Sequence, residues 1–487
     1  MIRFIPVLHV VSLLLLIISF FMLAPLGIAI YNGDMISVRA FGFTIAFTAV
    51  FCLLVWWLTR SKNSLKQQLR TREGFLMVAA SWITASAVGA VPFVLSGTIP
   101  SYTDAFFETI SGFTTTGASI LTAIETIPRS VLFWRSLTHW LGGMGIVVLT
   151  VAILPFLGVG GVQLVRMESP GPTLDKIAPR ITQTAKILWF LYLGFTALET
   201  VLLMAGGMSL FDALTHTFGT LATGGFSSRD GSVGAYNSGF IDWVIIAFMM
   251  VAGTSFALFY KLLRGNLRDI FRNTEFRVYV LIITSSVLII TLTLLKVYGD
   301  FGKSLRYAGF QAVSIVTTTG FVTADFDMWP MGAKGVLLLL MFVGGCSGST
   351  GGGPKVIRVV TLIKTALKEM RYMSRPRGIF RVHINGEPVK KDFLYSVSGF
   401  FVLYLLCLLF VTVVVSIFGA ADIATAFSTA LVTVGNIGPG FGSIGPTMNY
   451  AFYPPLVKWV LSFAMLVGRL EVYTVLILLT PSFWRRT

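Results

Sequence analysis

The chain of 487 residues is 55% hydrophobic and only 12% charged, with a formal net charge of +16. A soluble protein would carry about 25% charged residues, so the composition excludes a sizeable soluble domain and predicts a polytopic membrane protein. Three cysteines (Cys52, Cys346, Cys407) without CxxC spacing and four scattered histidines (His9, His139, His216, His383) offer no disulfide framework and no clustered metal site for a membrane enzyme.

Arg3 precedes an apolar run longer than the roughly 7–15 residues of a signal-peptide core, so the N-terminus reads as a retained first span. Apolar stretches near or above the ~18–20 residues that cross a bilayer recur to the end of the chain. They predict ten spans, at 7–30, 38–59, 75–97, 132–157, 184–206, 240–262, 277–299, 334–364, 393–419 and 455–480. Basic residues concentrate in alternate loops: 60–72, 166–186, 261–277 and 355–391. That is a positive-inside distribution, not a nucleic-acid footprint, and it places those loops and both termini in the cytoplasm.

The last eight spans form four pairs, and each pair encloses a segment too short to span: DAFFETISGFTTTGAS from Asp104, DALTHTFGTLATGGFS from Asp212, YAGFQAVSIVTTTGFV from Tyr307 and DIATAFSTALVTVGNI from Asp422. Thirteen residues after each start come Gly117, Gly225, Gly320 and Gly435, and two before each glycine stand Thr115, Thr223, Thr318 and Thr433. Aspartate suits a helix N-cap. Tyr307 cannot serve there, so the third helix needs a cap from elsewhere. About nine helical residues follow, roughly 14 Å at 1.5 Å per residue, which enters a membrane halfway. The irregular backbone beyond survives at that depth only if it is buried or lines a water-filled cavity. Four such segments around one axis predict a ring of carbonyls replacing a cation's hydration shell: Thr115, Thr116 and Gly117; Thr223, Gly224 and Gly225; Thr318, Thr319 and Gly320; Thr433, Val434 and Gly435. Thr433-Val434-Gly435 is the TVG of potassium-channel filters.

The pattern resembles the Trk/Ktr/HKT superfamily of potassium transporters over essentially the whole chain. The two extra N-terminal spans resemble its bacterial Trk membrane subunits (TrkH/TrkG) more than the eight-span Ktr subunits. The resemblance implies an all-α fold with ten transmembrane helices, four re-entrant pore helices and four M1–P–M2 repeats around one pore. The divisions would be 1–74, 75–166, 167–272, 273–366 and 367–487. It also implies potassium selectivity at the filter glycines. Some sodium-conducting plant relatives carry serine in the first of these places, where this chain has Gly117.

GGCSGSTGGGPK, residues 344–355, is no Walker loop, because Pro354 precedes Lys355 and the context is a membrane span. Gly344, Gly348 and Gly352 allow GxxxG packing. But Gly344, Gly345, Gly348, Gly351, Gly352 and Gly353 each cost about 1 kcal/mol in a helix, which favours a broken helix with an intramembrane loop at 344–353 and Lys355 beside it. Its depth suggests a flexible gate below the filter, the role the resembling family gives to its intramembrane loop. Arg469 lies near the middle of the last span, where an arginine costs ~2.5–3.5 kcal/mol to insert. It reads as an electrostatic barrier in the pore, and the family resemblance pairs it with the loop as a constriction. Glu199 and Glu471 are the other intramembrane charges, and either could partner Arg469 or Lys355.

The polar stretch 368–392 contains Asn385-Gly386, a hairpin signal. It reads as a solvated connection or a docking surface. The family resemblance supplies a candidate partner, a soluble NAD- and ATP-binding regulatory subunit of the TrkA type, and implies a homodimer in the bacterial cytoplasmic (inner) membrane. No nucleotide motif or cofactor site is recognisable in this chain. Two mechanisms stay open: passive, channel-like potassium uptake, and potassium–proton or potassium–sodium symport using Glu199 or Glu471.

Overall fold

The computed structural model describes residues 2–59, 70–145 and 181–485. Helix α1 (Phe4–Phe21) continues through Met22 into α2 (Leu23–Tyr31). Pro25 has no N–H to offer the Phe21 carbonyl, which accounts for the irregular join. α3 (Met35–Thr59) packs back along α1, and both lie against α4 (Thr71–Leu95). An Arg3–Glu73 ion pair of 2.7 Å ties the start of α1 to that of α4.

Four helical units follow. The first is α4, α5 (Tyr102–Phe113) and α6 (Arg129–Gly143). The second is α7 (Ile181–Ala205), α8 (Leu210–Leu221), α9 (Gly239–Ala252) and α10 (Phe256–Leu263), with α11 (Leu267–Arg272) as a connector. The third is α12 (Thr274–Tyr298), α13 (Phe301–Val316), α14 (Met331–Leu340) and α15 (Val356–Ser374). A two-stranded hairpin, β1 (His383–Ile384) and β2 (Glu387–Pro388), pairs His383 with Pro388 across an Asn385-Gly386 turn with both φ values positive. The fourth unit is α16 (Lys391–Phe418), α17 (Ile423–Val434), α18 (Pro455–Arg469) and α19 (Val472–Leu476), closed by α20 (Pro481–Trp484).

Among the described residues, six helical segments, one of them α1 with α2, are long and apolar enough to cross a membrane. Three expected spans are not continuous. The stretch 240–262 bends by 96° between α9 and α10, and 455–480 bends by 120° between α18 and α19. The stretch 334–364 is two helices separated by residues 341–355. The expected span at 132–157 begins as α6, and its part beyond residue 145 lies outside the described residues. So do residues 60–69 and 166–180 of two basic loops.

The short helices α5, α8, α13 and α17 are the innermost elements, with their last two turns wholly buried. Each packs on its own unit's first long helix. In addition α8 packs on α6, α13 on α9, and α5 on α18. Three of the short helices thus lean on a helix of the preceding unit, the first of them on the fourth unit, which sets the units in cyclic order.

Candidate ion pathway

The caps set the register of the four short helices. Ser101 and Ser209 are the N-caps of α5 and α8, accepting from the amides of Asp104 and Asp212 at 3.4 and 3.1 Å. Asp104 and Asp212 are thus third helical residues rather than caps. They still lie at the positive end of the helix dipole. Asp422 is the N-cap of α17, and its carboxyl lies below its ordinary value because Thr425 donates to it. Helix α13 starts a turn earlier than its counterparts, and Asp300 supplies the cap that Tyr307 cannot, accepting from the Lys303 amide at 2.5 Å.

Beyond each helix the chain turns into a left-handed residue and then, two positions on, a left-handed glycine: Thr115 and Gly117, Thr223 and Gly225, Thr318 and Gly320, Asn436 and Gly438. The φ values of the first residues are 54°, 56°, 58° and 52°. The amides repeat too. Thr115, Thr223, Thr318 and Asn436 each donate to the carbonyl three residues earlier, and Thr116, Gly224, Thr319 and Ile437 to the one five earlier. The fourth segment equivalent to Thr115–Gly117 is therefore Asn436–Gly438. Thr433 and Val434 are the last turn of α17, and Gly435, at φ −80°, is its C-cap. The TVG match lies three residues out of register, because Asp422 occupies the cap position of Ser101, not the position of Asp104.

A threonine at φ near +55° is strained by about 1–3 kcal/mol. Three in equivalent places persist only because their surroundings over-determine them. The glycines show what the strain achieves. A Cβ on Gly117 would strike the Gly224 carbonyl, one on Gly225 the Thr319 carbonyl, one on Gly320 the Ile437 carbonyl, and one on Gly438 the Thr116 carbonyl. The four segments thus touch in cyclic order. The carbonyls involved, of Thr116, Gly224, Thr319 and Ile437, hold one equivalent position in each unit. All four left-handed glycines line a single polar cavity, with Arg135 and Asp230 on its wall.

Buried polar side chains stand seven residues before each left-handed position: Glu108, His216, Gln311 and Thr429. Glu108 accepts from the Ser119 hydroxyl and the Ile120 amide, both at 2.9 Å, and pairs with Arg135 at 2.7 Å. Arg135 in turn donates to the Ser227 carbonyl at 3.0 Å. His216 Nε2 lies 2.9 Å from the Ser227 hydroxyl, and Thr429 shares a 2.7 Å hydrogen bond with Tyr453. Glu108, Arg135 and His216 thereby fix the chain just beyond the first and second segments.

The opposite face of the ring is covered. Residues 344–355 form no helix, and the loop is hydrogen-bonded along its length rather than loose. Gly344 donates to Pro354 O, Cys346 to Gly253 O, Thr350 to Ala252 O, and Gly348 accepts from Phe256. The loop therefore docks on the bend between α9 and α10. Gly352 N donates to Thr318 Oγ1 at 2.6 Å, and Lys355 Nζ closes the loop by donating to the Gly351 carbonyl. Gly345 and Gly351 are buried, and Gly353 is left-handed at φ +63°. Arg469, the last residue of α18, donates to Thr115 Oγ1 at 3.0 Å, Thr350 O at 2.7 Å, Gly142 O at 2.7 Å and Gly143 O at 3.1 Å. Thr115 and Thr318 belong to the first and third units, opposite in the cyclic order. Loop and arginine together form a hydrogen-bonded strap across the ring.

The sequence reading missed Glu275, at the start of α12. Its Oε1 accepts from Ser347 N at 2.7 Å and Ile357 N at 3.1 Å, pinning both ends of the loop. An acid in the first turn of a long helix was the available signal. Among the described residues neither proposed acidic partner of Arg469 or Lys355 makes such a pair: Glu471 is paired with Arg358, and Glu199 is buried on α7 beside Thr220 of α8.

Residues 38–486 match the TrkH family model, described as a cation transport protein. The chain belongs to the TrkH family. It is 40% identical over 482 residues to the Trk system potassium uptake protein TrkH of Escherichia coli K12, covering 98% of each chain. It is 41% identical over 488 residues to that of Halomonas elongata, covering 99% of each. The crystal structure of the potassium transporter TrkH from Vibrio parahaemolyticus superposes with a TM-score of 0.89 at 36% identity, covering 99% of this chain and 100% of that one. The TrkH family is one of transport proteins, not enzymes, and this member is accordingly an all-α, multi-pass membrane protein.

Proposed function

We propose that this protein takes up potassium across the bacterial inner membrane through the ring at Thr115–Gly117, Thr223–Gly225, Thr318–Gly320 and Asn436–Gly438. The observation that carries this is the cyclic contact of each left-handed glycine with the next unit's carbonyl. Four dipolar helices end at that ring, aiming the negative ends of their dipoles at one point, and carbonyl rings suit a dehydrated monovalent cation. The polar cavity is the outer mouth. The strap of residues 344–355 with Lys355 and Arg469 is the gate, held shut here, and the guanidinium beneath the ring repels cations. Passage is channel-like and driven by the ion's own gradient and the voltage. Glu275, the acid that touches the gate, is engaged by two backbone amides, Glu471 is engaged by Arg358, and Glu199 is buried on α7, so none offers an open titrating site on the path. Both termini and the hairpin face the cytoplasm, where a regulatory NAD- and ATP-binding subunit of the TrkA type docks, and the protein works as a homodimer.

The test is cation flux in liposomes holding this chain alone. Rubidium or potassium uptake that follows only its own gradient and the voltage supports the reading. Uptake abolished by collapsing the proton or sodium gradient would replace it with symport.

A further inference from the structure

Resting on the ring reading above, we infer that Asn436 is a specificity-determining residue, the cross-link that sets the spacing of the ring between its fourth and first segments. Its three counterparts are threonines whose hydroxyls bond elsewhere. Thr115 and Thr318 accept from Arg469 and Gly352, and Thr223 donates to its neighbour's carbonyl, Ala222 O. Asn436 instead reaches sideways into the next unit. Its Nδ2 donates to Thr116 Oγ1 at 2.9 Å and to Met465 O at 2.9 Å. The carbonyl of Met465 can only accept, so the amide nitrogen must face it and the orientation of the side chain follows. Thr116 Oγ1 lies 2.8 Å from Thr114 Oγ1, which donates to Ile110 O. One continuous string thus runs from the end of α5, through the first segment, across the seam, to α18.

The seam needs it. Thr116 carries one of the ring carbonyls, and Gly438, two residues beyond Asn436, packs on that carbonyl. The fourth segment has no hydroxyl pair like Thr114–Thr116 or Thr317–Thr319 to stiffen it, having Gly435 and Ile437 in those places. Asn436 is also gripped from its other sides. It is fully buried, a Cβ on Gly468 would fall 2.6 Å from its Oδ1, and one on Gly352 would fall 2.8 Å from its Cβ. A side chain so confined transmits position. Carbonyl spacing and rigidity are among the properties that separate potassium from smaller sodium. Loss of the string should let the fourth segment relax, and sodium should then compete better.

The experiment is a bi-ionic potential, potassium inside and sodium outside liposomes holding the full chain, read by a voltage dye. The ratio it gives does not depend on how many molecules are folded or open. Asn436→Ala, Asn436→Asp (an acceptor facing the Met465 carbonyl) and Thr116→Val should each lower the potassium-over-sodium ratio by roughly five- to tenfold, the scale of one lost buried hydrogen bond. The Asn436→Ala, Thr116→Val double variant should fall no further than either single one, as expected for partners in one bond. Unchanged ratios in the single variants, or full additivity in the double, overturn the inference while leaving the ring reading intact. If Asn436→Ala does not fold, Thr116→Val decides alone. A wild-type chain that develops no potassium-dependent potential overturns the ring reading itself, and this inference with it.

Discussion

Arg469 and Thr115, 354 residues apart in the chain, are joined by a 3.0 Å hydrogen bond from guanidinium to hydroxyl. The same nitrogen donates to Thr350 O, and two residues along the loop Gly352 N donates to Thr318 Oγ1. Innermost ring hydroxyl, helix-end cation, loop backbone and opposite hydroxyl thus form one strap. Moving the loop must release the ring's hydroxyls, so on the function proposed above the gate and the innermost part of the filter are a single hydrogen-bonded unit.

Arg469→Ala should raise cation flux. It removes a charge beneath the ring and charge-assisted hydrogen bonds of about 1.5–3 kcal/mol each, a scale of about ten- to a hundredfold in the closed-to-open ratio. Rubidium uptake per reconstituted protein measures it. Flux equal to wild type in Arg469→Ala would rule out the barrier.

Glu275→Ala should free the loop without touching the ring. Both anchored positions, Ser347 and Ile357, lose their acceptor, and Cys346, buried next to Ser347, should become reactive. In a Cys52→Ser, Cys407→Ser background, maleimide labelling of Cys346 should accelerate by about tenfold, the effect of one charge-assisted hydrogen bond, alongside increased flux. Glu275→Gln keeps an acceptor and should lie between. Equal labelling in all three would show that Glu275 does not restrain the loop.

The register of the fourth segment is open to a direct comparison. Gly438→Ala forces a side chain at φ +94° to within 2.6 Å of the Thr116 carbonyl of another unit, whereas Gly435→Ala places one at a helix C-cap with φ −80°, 2.7 Å from the Leu431 carbonyl of its own helix. Gly438→Ala should abolish selective flux, and Gly435→Ala, which strains only the end of its own helix, should retain more of it. The reverse ranking would restore the Thr433-Val434-Gly435 assignment. Gly117→Ser, at φ +80° against the Gly224 carbonyl, should likewise weaken discrimination against sodium.

Glu471 and Arg358 should behave as a structural pair. Each is mostly buried, and Arg358 also lies over the Phe400 ring at 4.1 Å. Removing one partner of such a pair costs about 3–5 kcal/mol, so Arg358→Ala and Glu471→Ala should each lower the thermal midpoint in detergent. Their double variant should be less impaired than the sum of the two. If Glu471→Gln instead changed the pH dependence of flux while leaving the midpoint alone, a proton-coupled role would have to be reconsidered.

Membrane residence, the four enclosed segments, the glycines of the first three and the break at 344–355 were legible in the sequence alone. Each rests on a local property: apolar length, repeated spacing, or the helix cost of adjacent glycines. The fourth segment was misplaced because a chance TVG and an aspartate matched at thirteen residues, and only the hydrogen-bond ladder after α17 shows that Asp422 replaces the capping serine. The bends at Gly253–Ser255 and Glu471, the role of Glu275, the Arg358–Glu471 pair and the reach of Asn436 to Thr116 were beyond reading from residues. They join positions tens to hundreds of residues apart, and a buried charge or amide chooses among many possible partners only when packing has fixed which of them lies within about 3 Å.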